Sequence, residues 1–224
     1  DSYAKSVQSI REEILAGELR AKGAKVEILA GDVADPRWTG ALISGLGGRR
    51  ISALIHTAGL APMQADPARI LAVNLDATVR LVEAVRGHMA LGSAAVLYAS
   101  NSTYFPLPPE AEAAFTKPLP PGGSAELLHF APVSQLAYPL SKMGVRALVK
   151  REAKSFGERG ARLISVSPGA IDTPMTKDEI PASNEAQAMI RDSAIGRIGR
   201  PEELAAVSVF LCSPDASLCA AADW

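Results

Sequence analysis

A tyrosine and a lysine lie four residues apart in the middle of the sequence. Tyr138 and Lys142 frame the segment Tyr-Pro-Leu-Ser-Lys, and the apolar residues after it recur every three or four positions, which predicts a helix from Leu140 onward. We expect Pro139 near the helix start, because proline lacks an amide hydrogen. Residues four apart share a helix face, so the ammonium should lie beside the phenol. Its charge would lower the pKa of Tyr138 from about 10 and permit proton transfer near neutral pH. The same pair also occurs on ordinary half-exposed helices.

The composition excludes several classes of protein. The 224 residues are 48% hydrophobic and 21% charged, with a net charge of -1. These values suit one α/β domain with a sizeable core and give no electrostatic reason to bind nucleic acid or an anionic membrane. No apolar run approaches the roughly 18 residues of a membrane span, and the first residues do not resemble a signal peptide. Two cysteines and three scattered histidines suggest neither a disulfide framework nor a metal site. We therefore expect a cytoplasmic, metal-free protein.

Apolar strands alternate with longer helical segments along the chain. Strands of a parallel, doubly wound, Rossmann-like α/β sheet are expected from this alternation, with ligands bound across their carboxyl ends. The predicted strands are 26–30, 51–57, 94–99 and 163–167, and the predicted helices are 6–19, 36–47, 67–86, 140–156 and 201–211. Polar clusters follow four of these segments, at Asp32, Thr57-Ala58-Gly59, Ser100 and Pro168-Gly169. The topology should bring these clusters together.

Together these residues resemble the short-chain dehydrogenase/reductase family, and the resemblance covers essentially the whole chain. The family's Tyr-x-x-x-Lys pair matches Tyr138 and Lys142, its strand-ending serine matches Ser100, and its Val-Asn-Leu asparagine matches Asn74. The Asn-Asn-Ala-Gly segment of the family reads His-Thr-Ala-Gly at residues 56–59, a departure in the first two positions. Further matches are Asp32, the segment 168–175 and the segment 197–203 that leads into the last predicted helix.

The resemblance implies an NAD(P)-dependent oxidoreductase that interconverts a secondary alcohol and a ketone. Tyr138 would be the general acid/base, and Ser100 would hydrogen-bond the substrate oxygen. Lys142 would lower the tyrosine pKa and bind the nicotinamide ribose, and Asn74 would hold a water in a proton relay. The cofactor contacts implied by the family are Asp32, Val33, Thr57, Ala58, Gly59, Tyr138, Lys142, Pro168, Gly169, Ile171 and Thr173.

Several of these residues also have a purely structural interpretation. Ser102 is the rival of Ser100, and Asn74 could be an ordinary surface or kink asparagine. The segment 57–59 could merely end a strand, and Thr173 could cap a following helix. His56 and His129 are better explained as structural residues than as catalytic ones.

Two parts of the family pattern are missing from the sequence. Nothing upstream of Asp32 supplies the glycine-rich turn. The glycines at 45–48 do not replace it, because they close a helix instead of joining a strand to one. The last strand is also expected beyond Trp224. We therefore expect the sequence to lack the first βαβ unit and the last strand of a longer protein, since their true absence would expose a long apolar edge. If Asp1 ends the missing second strand, it would bond the adenosine ribose and favour NAD slightly over NADP; otherwise it is a solvated lead-in to a helix.

A long insertion separates Ser100 from Tyr138. Residues 101–137 number 37 and hold seven of the sixteen prolines. The family members with a similar insertion resemble 3α-hydroxysteroid dehydrogenase and carbonyl reductases, and a loop of this length is usually functional or disordered. We expect it to wall an apolar substrate pocket and to alter subunit packing beside the Tyr138 helix. The alternative is a tolerated surface insertion.

The predicted whole is one dinucleotide-binding oxidoreductase domain over residues 1–224 that acts on an apolar, steroid-like or other carbonyl substrate. The resemblance implies a homodimer or homotetramer. The alternative activities are a 3-oxoacyl reductase and a redox-inactive relative that only binds nucleotide. The complete set of Asn74, Ser100, Tyr138 and Lys142 disfavours the inactive alternative, because a non-catalytic protein needs no such set.

Overall fold

The computed structural model describes residues 13–119, 122–176 and 184–224, which form a parallel sheet with helices on both faces. The elements are α1 (13–21), α2 (Pro36–Gly45), β1 (Ile51–His56), α3 (Pro67–Leu71), α4 (Ala77–Arg86), β2 (Met89–Tyr98), α5 (Pro109–Ala113), α6 (Ser134–Gly157), β3 (Arg162–Val166), α7 (Asn184–Asp192) and α8 (Pro201–Cys212). None of the helices within these ranges has the length and apolarity to cross a bilayer.

The sheet has the order β1-β2-β3, and all its described strands are parallel. The central strand is buried on both faces, which explains its nearly continuous run of apolar residues. Ala95 and Leu97 pack in one core with α3, α4 and α6, whereas Ala94 and Val96 pack in a second core with Leu211 of α8. The predicted doubly wound parallel sheet is therefore confirmed.

The predicted strand at residues 26–30 is wrong. Val26 and Ile28 are half-buried and alternate with exposed residues, as in a strand, but residues 24–30 have no regular secondary structure. The physical reason is that a strand needs a hydrogen-bonded neighbour, and within the described residues none forms a ladder with this segment. Isolated hydrogen bonds hold the segment instead, such as the one from Trp38 Nε1 to the Leu29 carbonyl at 3.2 Å.

The end of the sequence lies along the free edge of β3. The Ser165 amide donates to the Ala222 carbonyl at 3.1 Å, and the Trp224 amide donates back to the Ser165 carbonyl at 3.1 Å. Ser165 and Asp223 form a parallel bridge. The expectation that the last strand lies wholly beyond Trp224 therefore needs correction, because residues 221–224 already add a short edge to the sheet.

The predicted helix at 67–86 is present but contains one wide turn. Asp66 caps α3, where its carboxylate accepts a hydrogen bond from the Arg69 amide at 2.8 Å. Between α3 and α4 the chain forms a π-helical turn at Ala72–Asp76, in which Asn74 lies. Such turns often occur at functional sites. The wide turn brings Asn74 into the interior, where it is 1% exposed.

Helix α6 begins at Ser134, six residues before the predicted start at Leu140. Pro139 therefore lies in the second turn, where its ring removes one hydrogen bond of the helix. The helix buries Leu140, Leu148 and Phe156 against the first core. Gly144 allows a close approach to this core, because a Cβ atom there would lie 2.6 Å from Leu75 Cδ1 and 2.9 Å from Phe115 Cε1.

The insertion consists of short helical pieces packed on the core. Besides α5 it contains 3-10 turns at Asn101–Tyr104, Ala114–Thr116 and Gly123–His129. Phe115 and Leu127 are 8% and 2% exposed and belong to the core that α3 and α6 share. Ser124 donates to Asp76 in the wide turn. The segment lacks helical periodicity in its sequence because each piece is too short to show it.

Candidate active site

A cavity of about 570 Å³, here called the main cavity, opens at the carboxyl ends of β1, β2 and β3. The predicted site residues on its wall are Thr57, Gly59, Ser100, Tyr138, Lys142, Pro168, Gly169, Ile171 and Thr173. The polar clusters after the three strands thus meet at one end of the sheet, as the topology requires.

Lys142 is a buried cation at the floor of the main cavity. Its side chain is 5% exposed, and its Nζ donates to the backbone carbonyl of Tyr98 at 2.8 Å. Within the described residues, no carboxylate forms an ion pair with it. Burial lowers the pKa of Lys142 from 10.5 to about 8, because the charged form loses hydration.

Tyr138 stands one helical turn before Lys142 on α6. The ammonium lies 5.8 Å from the centroid of the tyrosine ring, within the range of a cation–π contact. Both side chains line the main cavity. The predicted juxtaposition of a phenol and an ammonium is therefore present in the structure.

Ser100 ends the extended backbone of β2 and starts a 3-10 turn. Its Oγ accepts a hydrogen bond from the Ser102 amide at 3.1 Å, so the serine caps the turn with a lone pair. Its own hydroxyl proton remains for another acceptor. Ser102 is not on the wall of the main cavity, and its Oγ is buried without a hydrogen-bond partner. The geometry favours Ser100 over Ser102.

Asn74 clamps the loop after β1 to α6. Its Oδ1 accepts from the Leu60 amide at 2.7 Å, and its Nδ2 donates to the Leu60 carbonyl at 3.0 Å and to Ser141 Oγ at 3.1 Å. Ser141 in turn donates to the Tyr138 carbonyl at 2.7 Å. These contacts explain a buried asparagine without invoking a relay water, so the water-binding role stays a prediction.

Gly59 leaves open space beside the catalytic candidates. A Cβ atom at this position would lie 3.3 Å from both Lys142 Nζ and Asn74 Oδ1. A side chain would therefore crowd the ammonium. Among the other residues of this segment, Thr57 lines the main cavity but Ala58 does not.

Asp32 and Val33 lie away from the main cavity wall. Asp32 accepts hydrogen bonds from the Ala34 amide at 2.9 Å and from Arg69 Nη2 at 2.8 Å. Partial burial acts to raise the pKa of Asp32, but these two donors lower it on balance. The Val33 carbonyl faces Arg80 Nη2 at 3.3 Å. The structure therefore does not bring this pair together with the residues around Tyr138.

Sequence reasoning missed the wall that α8 contributes. Tyr98 lines the main cavity, and its hydroxyl contacts the Leu204 carbonyl at 3.1 Å and Ser208 Oγ at 2.6 Å. Leu204 and Val209 line the cavity as well, together with Met175. One signal was available, because Tyr98 and Ser100 are two apart in a strand and point to the same face.

His56 is buried and contacts Thr78, which is compatible with the predicted structural role. Its Nε2 lies 2.9 Å from Thr78 Oγ1, whose hydroxyl donates to the Asn74 carbonyl at 2.8 Å. Since the threonine has one proton, the imidazole must donate through Nε2. Burial, and then the charge of Lys142, lower the pKa of His56 from 6.5 to about 4. His129 Nδ1 contacts the Glu126 carbonyl at 2.6 Å, and His129 does not line the main cavity.

The insertion does not wall the main cavity. None of its described residues lies on that wall, so the expectation of a substrate pocket formed by the insertion is not met. The reason is that Phe115 and Leu127 are used in the core. Thr103 and Phe115 instead line a second cavity of about 440 Å³, which also includes Arg146 and Asp223.

Thr173 lies in a turn beside Thr176. Its amide faces Thr176 Oγ1 at 3.1 Å, and the two hydroxyls are 3.2 Å apart. A helix that Thr173 could cap, like the position of Asp1, would fall outside the described residues. In the described parts of the chain, no three side chains of His, Cys, Asp or Glu are placed to hold a metal ion.

Comparison with known proteins shows similarity over most of the chain. A family model described as "Enoyl-(Acyl carrier protein) reductase" matches residues 124–224. The L-rhamnose 1-dehydrogenase (NAD(P)(+)) of Sphingomonas sp. (strain SKA58) is 27% identical over 210 residues, which are 88% of this chain and 72% of that protein. Cyclohexanol dehydrogenase of Acinetobacter sp. (strain SE19) is 42% identical over 80 residues, 36% of this chain and only 30% of that protein.

A solved structure shows that the likeness extends to the fold. The 3-alpha-hydroxysteroid dehydrogenase from Pseudomonas sp. B-0831, complexed with NADH, superimposes with a TM-score of 0.75 and 26% sequence identity. The superposition covers 92% of this chain and 87% of that one. The arrangement of strands and helices around the main cavity is thus shared with a protein that binds a nicotinamide cofactor.

Proposed function

We propose that the chain belongs to the short-chain dehydrogenase/reductase family and is an NAD(P)-dependent oxidoreductase that interconverts a secondary alcohol and a ketone. The single observation that carries the proposal is that Ser100, Tyr138 and Lys142 line one cavity at the carboxyl ends of the strands. A hydroxyl, a phenol and a buried ammonium together can manage a proton and a developing oxyanion.

The chemistry assigned to these residues concerns the proton and the substrate oxygen. In the direction of alcohol oxidation, Tyr138 as phenolate takes the hydroxyl proton while Ser100 donates a hydrogen bond to the same oxygen. In ketone reduction, Tyr138 returns the proton. Lys142 lies close enough to the ring to stabilise the phenolate, and burial strengthens this interaction because little water screens it. Asn74 acts on the loop, by fixing Leu60.

The residues present fit the nicotinamide end of the cofactor. Gly59 leaves room beside Lys142, and Thr57, Ile171 and Thr173 line the adjoining wall. A bound nicotinamide cofactor would supply or accept the hydride. We assign the nicotinamide ribose to Lys142 and Tyr138, and the nicotinamide to the wall at 168–173. NAD and NADP both remain in the proposal, with NAD slightly favoured; Asp32, Val33 and Ala58 stay predictions for the more distant parts.

An apolar substrate suits the part of the main cavity that α8 and Met175 line. Met175, Leu204 and Val209 supply its apolar wall. A secondary alcohol or ketone on a ring system buries apolar surface there and places its oxygen near Ser100 and Tyr138. The name of the similar hydroxysteroid dehydrogenase supports this substrate class.

The test is turnover of a panel of secondary alcohols and ketones, followed by absorbance of the reduced nicotinamide, with wild type and Tyr138→Phe. We expect wild type to act on at least one ring alcohol and the variant to lose about 1,000-fold or more in kcat, the scale set by removing a general acid/base with its charge stabilisation. Circular dichroism checks that the variant folds. Equal rates in the two proteins would remove Tyr138 from the chemistry.

A second activity, reduction of a 3-oxoacyl group, is supported by a similar protein, the 3-oxoacyl-[acyl-carrier-protein] reductase FabG of Thermotoga maritima, which is 41% identical over 83 residues, 37% of this chain and 33% of that protein. A 3-oxoacyl thioester in the same assay separates the two, because a preference for it over ring ketones would replace the first proposal. Absence of turnover with every substrate, together with nucleotide binding, would favour the redox-inactive alternative.

The remaining features of the whole protein are proposed from its family. We propose one catalytic domain that includes the insertion and that assembles as a homodimer or homotetramer in the cytoplasm. Its substrate is a small molecule, and neither nucleic acid nor a membrane is part of the proposal. Light scattering of the purified full chain measures the oligomeric state, and a monomer would contradict it.

A further inference from the structure

A polar cluster lies next to Ser100 but outside the main cavity wall. Its centre is the ion pair between Arg146 of α6 and Asp223, with Nε and Oδ2 2.8 Å apart. The two side chains are 30% and 13% exposed. None of the proposed catalytic roles uses either residue, although Arg146 stands one helical turn after Lys142.

Arg146 is held from three directions. Besides the ion pair, its guanidinium stacks over the ring of Tyr104 at 4.4 Å from the centroid, and its Nη1 donates to Thr103 Oγ1 at 3.0 Å. Tyr104 also donates its hydroxyl to Asp223 at 2.9 Å. These contacts restrict the guanidinium, and its Nη1 donor is aimed at Thr103.

Thr103 passes this orientation to the backbone of Ser100. Its hydroxyl donates to the Ser100 carbonyl at 2.9 Å, and its amide donates to the same carbonyl at 3.1 Å. Arginine can only donate, so it occupies a lone pair of the threonine and leaves the single hydroxyl proton for Ser100. The Ser100 carbonyl can only accept, so the bond from Arg146 is compatible with this hydrogen bond and helps to hold the Thr103 hydroxyl in the turn that begins at Ser100.

Asp223 ties the cluster to the end of β3. Its carboxylate accepts from Ser165 Oγ at 2.7 Å and from Ser167 Oγ at 2.8 and 2.9 Å. Ser167 directly precedes Pro168, whose carbonyl accepts from the Asn101 amide at 3.0 Å. One carboxylate therefore connects α6, the turn after β2 and the segment after β3, and all three contribute to the wall of the main cavity.

We propose that Arg146 and Asp223 are positioning residues that set the place of the Ser100 hydroxyl relative to Lys142. The inference rests on the proposed function of Ser100. Since Lys142 and Arg146 belong to adjacent turns of one helix, holding Thr103 through Arg146 fixes the end of β2 against the same rigid element that carries the ammonium. Neither residue touches the substrate or the reacting atoms.

The kinetic test compares Arg146→Met and Asp223→Asn in the wild-type and Ser100→Ala backgrounds. In the wild-type background we expect each to lower kcat about 10- to 100-fold with KM nearly unchanged, because a small misplacement of a catalytic group costs this much. In the Ser100→Ala background the same changes should have no further effect. An equal loss in both backgrounds would overturn the proposal, since the residues would then act independently of Ser100.

A matched control is Arg86→Met. Arg86 forms an ion pair with Glu152 at 3.0 Å, and the exposures of 35% and 19% are similar to those of the Arg146 pair. It lies away from the main cavity wall. Arg86→Met should leave kcat unchanged. If it lowers kcat as much as Arg146→Met does, general destabilisation explains both and the proposal fails.

A second measurement does not depend on turnover. Hydrogen exchange of the Thr103 amide, followed by NMR, reports the bond to the Ser100 carbonyl directly. We expect exchange at least about 10-fold faster in Arg146→Met than in Arg86→Met, the factor that a loss of roughly 1.4 kcal/mol of local stability produces. Equal exchange would overturn the positioning role even if wild type proves inactive. Failure of the proposed function would instead appear as a wild type without turnover whose Thr103 exchange still responds to Arg146→Met.

Discussion

Lys142 and Arg146 are two cations one turn apart on the same helix, in very different surroundings. Arg146 is partly exposed and has a carboxylate, an aromatic ring and a hydroxyl around it. Lys142 is 5% exposed, and the described residues offer it a backbone carbonyl but no ion pair. Buried charges are normally paired, so the second arrangement is the costly one.

The different surroundings of the two cations suggest different roles, with Arg146 contributing to stability and Lys142 to catalysis. A well-paired cation holds its neighbours in place, and its charge is neutralised. The charge of a buried cation without an ion pair is little screened and acts on the group beside it, here Tyr138. Burial also lowers the pKa of Lys142 itself to about 8. We therefore expect substitutions of the two residues to have opposite effects on stability.

Of substitutions at the two cations, Lys142→Met should have the larger effect. Removing the ammonium should lower kcat about 100- to 1,000-fold, the scale of losing charge stabilisation at a reacting group. The same change should raise the free energy of unfolding at pH 7 by about 2 kcal/mol, because it removes a buried unpaired charge but also leaves the Tyr98 carbonyl without its donor. Urea unfolding and steady-state kinetics measure both. Arg146→Met is the matched variant and should lower the free energy of unfolding. If both substitutions destabilise the protein, the predicted opposite effects of the two cations on stability are wrong.

The pH dependence of stability should distinguish the two cations as well. The pKa of Lys142 is about 8 in the folded protein against 10.5 as the ordinary value. Between these values the unfolded chain binds more protons, so stability rises with pH through this window. The rise attributable to Lys142 is at most about 3 kcal/mol.

Urea unfolding at pH 7.5, 9 and 10.5 tests this. The stability advantage of Lys142→Met over wild type should shrink as the pH increases. Arg146→Met should keep the wild-type rise. A constant advantage across the three pH values would mean that Lys142 is not desolvated in the folded protein.

Gly144 lies between the two cations on α6 and should be intolerant of a methyl group. Gly144→Ala places a Cβ within 3 Å of Leu75 and Phe115 in the core. Overpacking of this kind usually costs 1–3 kcal/mol, and the better helix propensity of alanine offsets part of that, so we expect a net loss of about 1–2 kcal/mol. Gly157→Ala in the same helix, where nothing lies within 4 Å, should be neutral or slightly stabilising. Equal melting temperatures of the two variants would contradict the close packing.

The smallest effect is expected from Tyr98→Phe. The change removes the hydroxyl that contacts α8 but leaves the backbone carbonyl that holds Lys142. We expect a loss of about 1 kcal/mol in stability and a rise in KM for bulky substrates, with kcat nearly unchanged. A large fall in kcat would show that the phenol, and not only the carbonyl, supports the ammonium.

Local signals in the sequence predicted the parts of the fold that depend on local interactions. The alternation of apolar strands and helices, and the residues at the ends of β1, β2 and β3, placed Ser100, Tyr138 and Lys142 in one site. The strand at 26–30 was wrong because pairing is a non-local property that residue types alone do not determine. The early start of α6 was missed because Pro139 suggests a helix beginning.

Long-range contacts explain what was missed in the site. Arg146 and Asp223 are 77 positions apart, and the periodicity of α6 treats Arg146 as an ordinary polar residue. Asn74 was identified, but its partner Ser141 was not, since nothing in either segment reveals the other. The core role of Phe115 was equally hidden, because the short helical turns around it carry no repeat.

The wide turn at Ala72–Asp76 has a consequence for how this scaffold tolerates changes in length. A π turn behaves like a single extra residue inside an otherwise regular α-helix. Deleting Ala72 should restore regular α-helical hydrogen bonding between α3 and α4 and leave their buried faces in place. It should also move the Asn74 amide away from Leu60. Such a shortened chain would keep its fold, would lose the stability that the Asn74 hydrogen bonds supply, and would turn over far less substrate. Deletion of one residue can thus leave the fold in place and remove the activity. A gap at this point in a homologue would indicate a protein that folds but does not catalyse the reaction.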